Sequence, residues 1–331
     1  GYPDESDLNG GVIPNGLYPI ATNMPIETWP TGTGAQTLTQ WQQTDDGGDR
    51  HSITVQPDPG KIFETWRTLR NGANWYATNG AIFNLNSNTL RPDTWTSGDA
   101  ADTAAAADIF ERMLKDRGCT IVLTLAGSTS AGGCMQVYAD MIRYNMVDVV
   151  VSTGASIVDM DFFEALGFKH YQGSPFADDR ELRKNYIDRI YDTYIDEGQL
   201  QTCDMTVKKI ADGLEPRPTS SREFVHEMGR YLTRHAVKKG SLVELAYRHN
   251  VPVFCPAFTD SSAGFGLVKH QVDRPERHLS IDSVRDFYEL TRIKMEAKTT
   301  GLFMIGGGVP KNFVQDTVIC AEVLGRDVPM H

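Results

Sequence analysis

The chain has 331 residues and a formal net charge of -11, with no Lys/Arg block and no apolar run near the ~18 residues of a membrane span. That excludes nucleic-acid binding through a basic stripe and adhesion to anionic membranes, and it favours cationic ligands. The length suits two domains or one large one, and either can bury a full core. The chain opens at Gly1 with no signal-peptide pattern, which leaves a removed leader open. Five cysteines (Cys119, Cys134, Cys203, Cys255, Cys320) are odd in number and unevenly spaced. They are expected to be reduced, buried thiols of a cytoplasmic protein, with neither a disulfide framework nor zinc spacing.

Composition breaks near residue 100: all five tryptophans precede it and all five cysteines follow it. Residues 1–101 hold 11 acids and 5 bases, with Lys61 the only lysine. The division expected is a β-rich region over 1–100 and an α/β domain over 101–331. The first 30 residues, rich in Gly, Pro and Asn, read as extended chain and turns. His51–Val55 and Lys61–Trp66 alternate as strands should, and Asp58-Pro-Gly60 joins them as a hairpin turn. Asn74–Thr78 and Ala81–Leu85 are two further strands, with Asn79-Gly80 as the turn between them. The tryptophans are either the core of this small antiparallel region or a platform for a glycan. Asp45, Asp46, Asp49 and His51 are either a solvated turn or metal ligands, with the turn favoured and no metal expected.

From Ala101 the pattern is α/β. A helix over 101–115 precedes the buried strand Thr120–Leu125, which runs into the small-residue turn Ala126–Gly133. A helix over 135–145 leads to strand Val147–Val151, then to Ser152–Ser156 and another helix near 159–166. Repetition of strand, turn and helix predicts βαβ units and a Rossmann-like parallel sheet with flanking helices. Residues 171–219 are polar and read as irregular excursions and surface helices. Helices over 220–238 and 241–249 come next, then strand Val251–Cys255 and the turn Pro256–Gly264. A helix over 283–297 leads to the strand Gly301–Ile305. Gly306-Gly-Gly308 then opens a helix with Pro310 in its first turn, expected to continue through Val314 to Leu324.

Four strands thus end in small, hydroxylic or acidic turns. In an open parallel sheet, ligands bind outside the carboxyl ends of the strands, so these turns point to a nucleotide or dinucleotide crevice. The first turn lacks the GxGxxG fingerprint, so an ordinary Rossmann dehydrogenase half is not expected. Lys311 and Asp316 follow the glycine turn. Lys311 is either a pocket lysine or a surface lysine, and Asp260 either a site residue or the cap of its turn. His249 and His270 read as structural or exposed.

With these turns in place, residues 102–331 resemble the deoxyhypusine synthase family, in particular its bacterial deoxyhypusine-synthase-like branch. The resemblance is carried by Ile109-Phe-Glu-Arg-Met, Cys119-Thr-Ile-Val-Leu, Asn145-Met-Val-Asp-Val-Val-Val-Ser-Thr-Gly, Val251-Pro-Val-Phe-Cys-Pro-Ala-Phe-Thr-Asp and Gly306-Gly-Gly-Val-Pro-Lys. It implies NAD-dependent transfer of the aminobutyl group of spermidine, or another polyamine, through an enzyme lysine to an acceptor amine. That acceptor is a protein lysine or putrescine, and the assembly implied is a homotetramer. By position it implies NAD contacts at Ser128, Thr153, Gly154, Asp260, Gly306, Gly307 and Gly308, with Asp159 near a ribose. It places Lys311 beside the polyamine tunnel as the catalytic candidate, with Asn312 and Asp316 on the substrate side.

Three departures accompany the resemblance. Asn312 stands where classical members have a histidine, and Phe265 stands where they have a polyamine-binding aspartate. The family's covalent lysine belongs to a Ser-Trp-Gly-Lys segment that lies beyond His331. Negligible covalent transfer by this chain alone is therefore expected. The alternative is a non-catalytic fusion or binding protein whose N-terminal region holds a glycan.

Overall fold

The structure, a computed structural model, describes residues 19–29, 33–45, 50–57, 60–77, 79–84 and 98–330. The chain separates into two compact units, Gly1–Arg112 and Met113–His331.

In the first unit, α1 (Leu38–Gln43) is opened by a capping box: Gln40 N–H donates to Thr37 Oγ1 (3.3 Å) and Thr37 N–H donates to Gln40 Oε1 (2.8 Å). Strands β1 (Ser52–Gln56), β2 (Lys61–Trp66) and β5 (Asn79–Asn84) form an antiparallel sheet in the order β1-β2-β5. Between β2 and β5, β3 (Leu69–Asn71) and β4 (Asn74–Tyr76) make a separate hairpin that turns on Gly72, at φ +61°. This corrects the expected turn at Asn79-Gly80. Those residues begin β5, and β4 pairs back onto β3.

The interior here is strongly polar. Arg50, only 3% exposed, donates to the carbonyls of Thr68 (3.1 Å) and Trp41 (2.9 Å) and lies over the Trp41 ring. Gln42 donates to the Met24 carbonyl (2.8 Å), and hydroxyls link Ser52, Thr65 and Thr68 in a buried chain. Trp41 is buried, while Trp29, Trp66 and Trp75 are half-buried; Trp95 lies outside the described residues. None of the four described tryptophans is exposed as a stacking platform would be. Of the acidic turn, Asp46 and Asp49 also lie outside the described residues. Asp45 pairs with Arg67, and His51 Nδ1 lies 2.9 Å from Glu64 Oε1.

Helix α2 (Gly98–Lys115) crosses from the first unit into the second. In the second unit, β6 (Cys119–Leu125) is followed by a wide π-helical turn, Ser130–Cys134, and α3 (Met135–Arg143). After β7 (Val149–Ser152) comes a second π-helical stretch, Ala155–Phe162, which runs into α4 (Phe163–Ala165). Wide turns of this kind favour functional sites, and both stand just after a sheet strand.

Residues 171–219 hold more regular structure than their polarity suggested. Strands β8 (Tyr171–Gln172), β9 (Ile187–Ile190) and β10 (Thr193–Asp196) form a small antiparallel sheet, with α5 (Asp179–Lys184) before β9. The sixteen-residue α6 (Glu197–Asp212) follows. The short β11 (Pro218–Thr219) precedes α7 (Ser221–His235) and α8 (Leu242–His249), and then comes β12 (Val253–Phe254). Next in order are α9 (Ser262–Asp273), β13 (Ser280–Ile281), α10 (Ser283–Glu296), β14 (Thr299–Ile305), α11 (Gly308–Gln315) and α12 (Thr317–Val323). The helix expected from Pro310 through Leu324 is therefore two helices, broken at Asp316. The expected turn at 256–264 is shortened because α9 starts at Ser262.

The principal sheet is parallel throughout, in the order β12-β7-β6-β14, which confirms the Rossmann-like α/β expectation. Its strands are apolar because both faces are covered. Val122, Val149, Val151 and Phe254 pack with Leu290 and Val314 in one cluster.

Helix starts are legible locally: Ser220, Ser241 and Asp282 each accept the N–H three residues on. A second set of caps comes from far away. Asp161 accepts the N–H groups of Leu242 (2.8 Å) and Val243 (2.9 Å) at the start of α8. Asp286 does the same for Ser221 and Arg222 at α7, and Asp159 for Ser262 at α9. Burial pushes Asp161 and Asp286 each up to about 6, against the pull of these N–H groups.

Candidate active site at the carboxyl ends of the sheet

Because the four strands run the same way, their carboxyl ends share one edge. By sequence their order is third, second, first, fourth, so direction reverses between β6 and β14 and makes a topological switch point. A cavity of about 120 Å³ lies there. It is lined by Ala126 and Gly127 after β6, Ser152 at the end of β7 with Thr153 and Gly154 after it, Pro256, Ala257 and Asp260 after β12, and Gly307–Pro310 after β14. Four turns from distant parts of the chain meet at one place.

Hydrogen bonds fix the first two turns to each other. The Gly127 carbonyl accepts from Thr153 Oγ1 (2.6 Å) and from Ser156 Oγ (3.0 Å), and Thr153 N–H donates to Leu125 O (3.1 Å). Gly154 presses against the third turn: a Cβ there would stand 2.3 Å from that of Ser261. The fourth turn is open. Gly307 caps α11 without a side chain, Pro310 has no N–H, and no acid occupies the first turn. The N–H groups of Gly308 and Val309 thus remain at the positive end of the helix, where an anion is favoured. A Cβ at Gly307 or Gly308 would meet nothing within 4 Å, so the backbone is bare on that side.

Of the residues expected from sequence, Thr153, Gly154, Asp260, Gly307 and Gly308 line the cavity. Asp260 is exposed, and its own N–H donates to Ala257 O (2.9 Å). Ser128 and Gly306 adjoin lining residues in sequence without being among them. Lys311 and Asn312 in α11, and Asp316 at its end, lie outside the lining. Lys311 is half-buried and its ammonium has no hydrogen bond or ion pair among the described residues, while Asn312 and Asp316 are exposed.

Asp159 stands behind the cavity. Its Oδ1 accepts the Ser262 N–H (3.1 Å), and the Ser262 hydroxyl donates to Asp204 of α6. Burial, with Asp204 and Asp260 nearby, lifts the Asp159 carboxyl to about 7, partly opposed by the Ser262 N–H. Burial likewise lifts Asp204 to about 6. Sequence reasoning missed Asp204 and Ser262, because α6 read as polar surface and Ser262 as turn. It also did not single out Ala126, Pro256 or Ala257, whose only signal is that each follows a strand.

The group implied by the resemblance is NAD, and the residues fit its phosphates: a phosphate-sized cavity beside an uncapped helix start, with bare glycines around it. Asp260 adds an acceptor for a hydroxyl on the same lining. A whole dinucleotide is larger than this volume, so the fit concerns the phosphates alone. Among the described residues no group of three or more His, Cys, Asp or Glu side chains could hold a metal ion, and no helix is long and apolar enough to cross a membrane.

Comparison with known proteins bears on the same segment. The deoxyhypusine synthase family model matches residues 95–328. A deoxyhypusine synthase-like protein of Coxiella burnetii is 71% identical over 231 residues, covering 70% of this chain and 66% of that protein. One of Caulobacter vibrioides is 63% identical over 239 residues, covering 71% of this chain and 65% of that protein. The chain thus spans slightly less than two thirds of the length of these curated relatives. A solved structure from Entamoeba histolytica assigned to deoxyhypusine synthase aligns at 19% identity and TM-score 0.49, over 65% of this chain and 73% of its own. On the family match and the level of identity, this chain belongs to the deoxyhypusine synthase family.

Proposed function

We propose that the second unit carries the NAD site of a deoxyhypusine-synthase-like aminobutyl transferase. Its donor is spermidine or another polyamine, and its acceptor is a protein lysine or putrescine. The observation that carries this reading is the meeting of four turns at the switch point, with an uncapped helix start and a carboxylate on one cavity. NAD bound there supplies the hydride acceptor for oxidation of the amine.

The chain's own residues hold and orient. Gly308 and Val309 N–H groups bind the phosphates, while Thr153 and Ser156 keep the Gly127 carbonyl turned away from them. Asp260 accepts a hydrogen bond from a ribose hydroxyl, and Asp159 holds the start of α9 so that Asp260 keeps its place. Along α11, Lys311 and Asn312 flank the polyamine and Asp316 attracts one of its ammonium groups. Five unbridged thiols and the family resemblance support a cytoplasmic homotetramer as the working form.

Calorimetric titration of NAD into the wild-type protein and an Asp260→Ala variant tests the reading. Loss of a hydrogen bond to a charged group predicts binding about tenfold or more weaker in the variant. Equal affinity would remove Asp260 from the site, and failure of the wild-type protein to bind NAD would sink the assignment. Spermidine-dependent NADH formation is the matching activity measurement.

A further inference from the structure

The third turn of the candidate site leads into α9, and α9 has no cap of its own. Ser261 stands at the cap position, yet its hydroxyl donates to the Phe258 carbonyl (2.8 Å) and caps nothing. The first turn of α9 contains no acid either. What holds the helix start comes from two other elements. Asp159, in the π-helical stretch after β7, accepts the Ser262 N–H, and Asp204, in α6, accepts the Ser262 hydroxyl. One serine thus carries both fastenings, with each of its two donors on a different carboxyl.

Glycines show how tightly this corner is built. A Cβ at Gly266 would stand 2.3 Å from the Asp204 carbonyl oxygen, and one at Gly264 would stand 2.2 Å from the Thr259 carbonyl oxygen. The backbones of α6 and α9 therefore meet just past Ser262, which fixes the Asp204 main chain where its side chain reaches that serine. Asp204 and Ser262 are both buried, and the serine is the one donor that Asp204 meets among the described residues. For packing alone an acid is a costly choice here, since an apolar side chain would fill the space without desolvation.

Asp260 precedes Ser262 by two residues and lines the cavity. Between them, Ser261 is pressed against Gly154 of the second turn, so the segment has little room to absorb a shift. A displacement of Ser262 is passed on to Asp260.

We propose that Asp204 is a positioning residue of the dinucleotide site, acting through Ser262 to set the place of Asp260. The proposal rests on the reading of the cavity as an NAD site, and it adds a residue of α6, a helix that contributes nothing to the lining. Asp204 touches no part of the ligand. Its contribution to affinity therefore exists only while Asp260 is there to be placed, and in this it differs from a residue that stabilises the fold alone.

Calorimetric titration of NAD into the full chain, Asp204→Ala, Asp260→Ala and the double variant provides the test. Asp204→Ala should bind about fivefold weaker and Asp260→Ala about tenfold weaker, with the double variant no weaker than Asp260→Ala alone. Asp204→Asn keeps an acceptor for the serine hydroxyl and should bind as the wild type does. Ser262→Ala removes the same hydrogen bond from the other side, and takes the place of Asp204→Ala should that variant not fold. Unchanged affinity in the alanine variant overturns the proposal. So does an Asp204→Asn as weak as Asp204→Ala, or a loss of about fiftyfold in the double variant, the mark of independent sites. A wild type that binds no NAD would instead refute the reading of the cavity. Hydrogen exchange of residues 257–261 without ligand then decides the positioning role: it should be about tenfold faster in Asp204→Ala and unchanged in Asp204→Asn. Equal exchange in Asp204→Ala and the wild type would overturn it.

Discussion

Both units bury charged side chains, and they satisfy them with different groups. In the first unit Arg50 gathers the carbonyls of Trp41 and Thr68, and the equally buried Glu64 lies against His51. In the second, Asp159, Asp161 and Asp286 gather the N–H groups of helix starts. A charge out of water needs hydrogen-bond partners. Loops supply spare carbonyls, and helix starts supply spare N–H groups. Loop carbonyls thus suit Arg50, and helix starts suit these carboxylates.

The largest effect should come from breaking the cation. Arg50→Ala leaves carbonyls unpaired and removes the contact over Trp41, a loss of about 3–4 kcal/mol from the first unit. Thermal unfolding should show an early transition shifted down while the second unit's signal stays in place. If both shift together, Arg50 does not act within one unit. Breaking one anion should cost somewhat less. Asp161→Ala strips two N–H groups at α8 of their acceptor, and about 2–3 kcal/mol of the second unit's stability should be lost in denaturant titration. Stability unchanged would mean that water replaces the carboxylate.

The smallest effect is the one that distinguishes Arg50 from these carboxylates. An arginine does not titrate in the accessible range, whereas carboxyls lifted to about 6 and about 7 do. A carboxyl whose folded pKa exceeds its unfolded value binds protons more tightly when folded. Its stabilising contribution is greatest at low pH and is lost as pH rises through the folded value. Glu164 runs the other way: hydrogen bonding from His170 first, then Lys238, holds it at about 2, so its contribution is full above its ordinary value of 4.5 and is lost as pH falls from there through about 2. The second unit should therefore melt about 3 °C higher near pH 5.5 than near pH 8. A second-unit midpoint that falls on acidification over this window would contradict the burial of these aspartates.

Much of the second unit was legible because its signals are local. An apolar run such as Cys119–Leu125 can scarcely be anything but a buried strand, and Gly306–Gly308 announces a turn. The residues Ser220 and Ser241 announce helix starts in the same way. What escaped depends on partners distant in sequence. Only the first three residues of α9, Ser262–Gly264, read as part of a turn, and Gly264 and Gly266 discourage a helix. In the structure, α6 lies so close that a Cβ at Gly266 would stand 2.3 Å from Asp204 O, which explains the glycine. The tight turns at Tyr186 and Tyr191 use positive φ without glycine, so no sequence signal marks the sheet β8-β10-β9. Of the site, the lining glycines and Thr153 could be read from turn chemistry. The position of Asp159 behind the cavity could not, since only the packing of α9 reveals which N–H it meets.

The seven-residue pairing of β6 with β14 has a consequence for biosynthesis. These neighbours are the first and last strands of the principal sheet, so nearly the whole second unit must leave the ribosome before they can meet. Contacts of such long sequence separation form slowly and late. Three of the four turns can be in place while the fourth is still being made. The cavity at the switch point is thus closed by the final strand and its glycines, and a nascent chain cannot hold a cofactor there until that strand has docked.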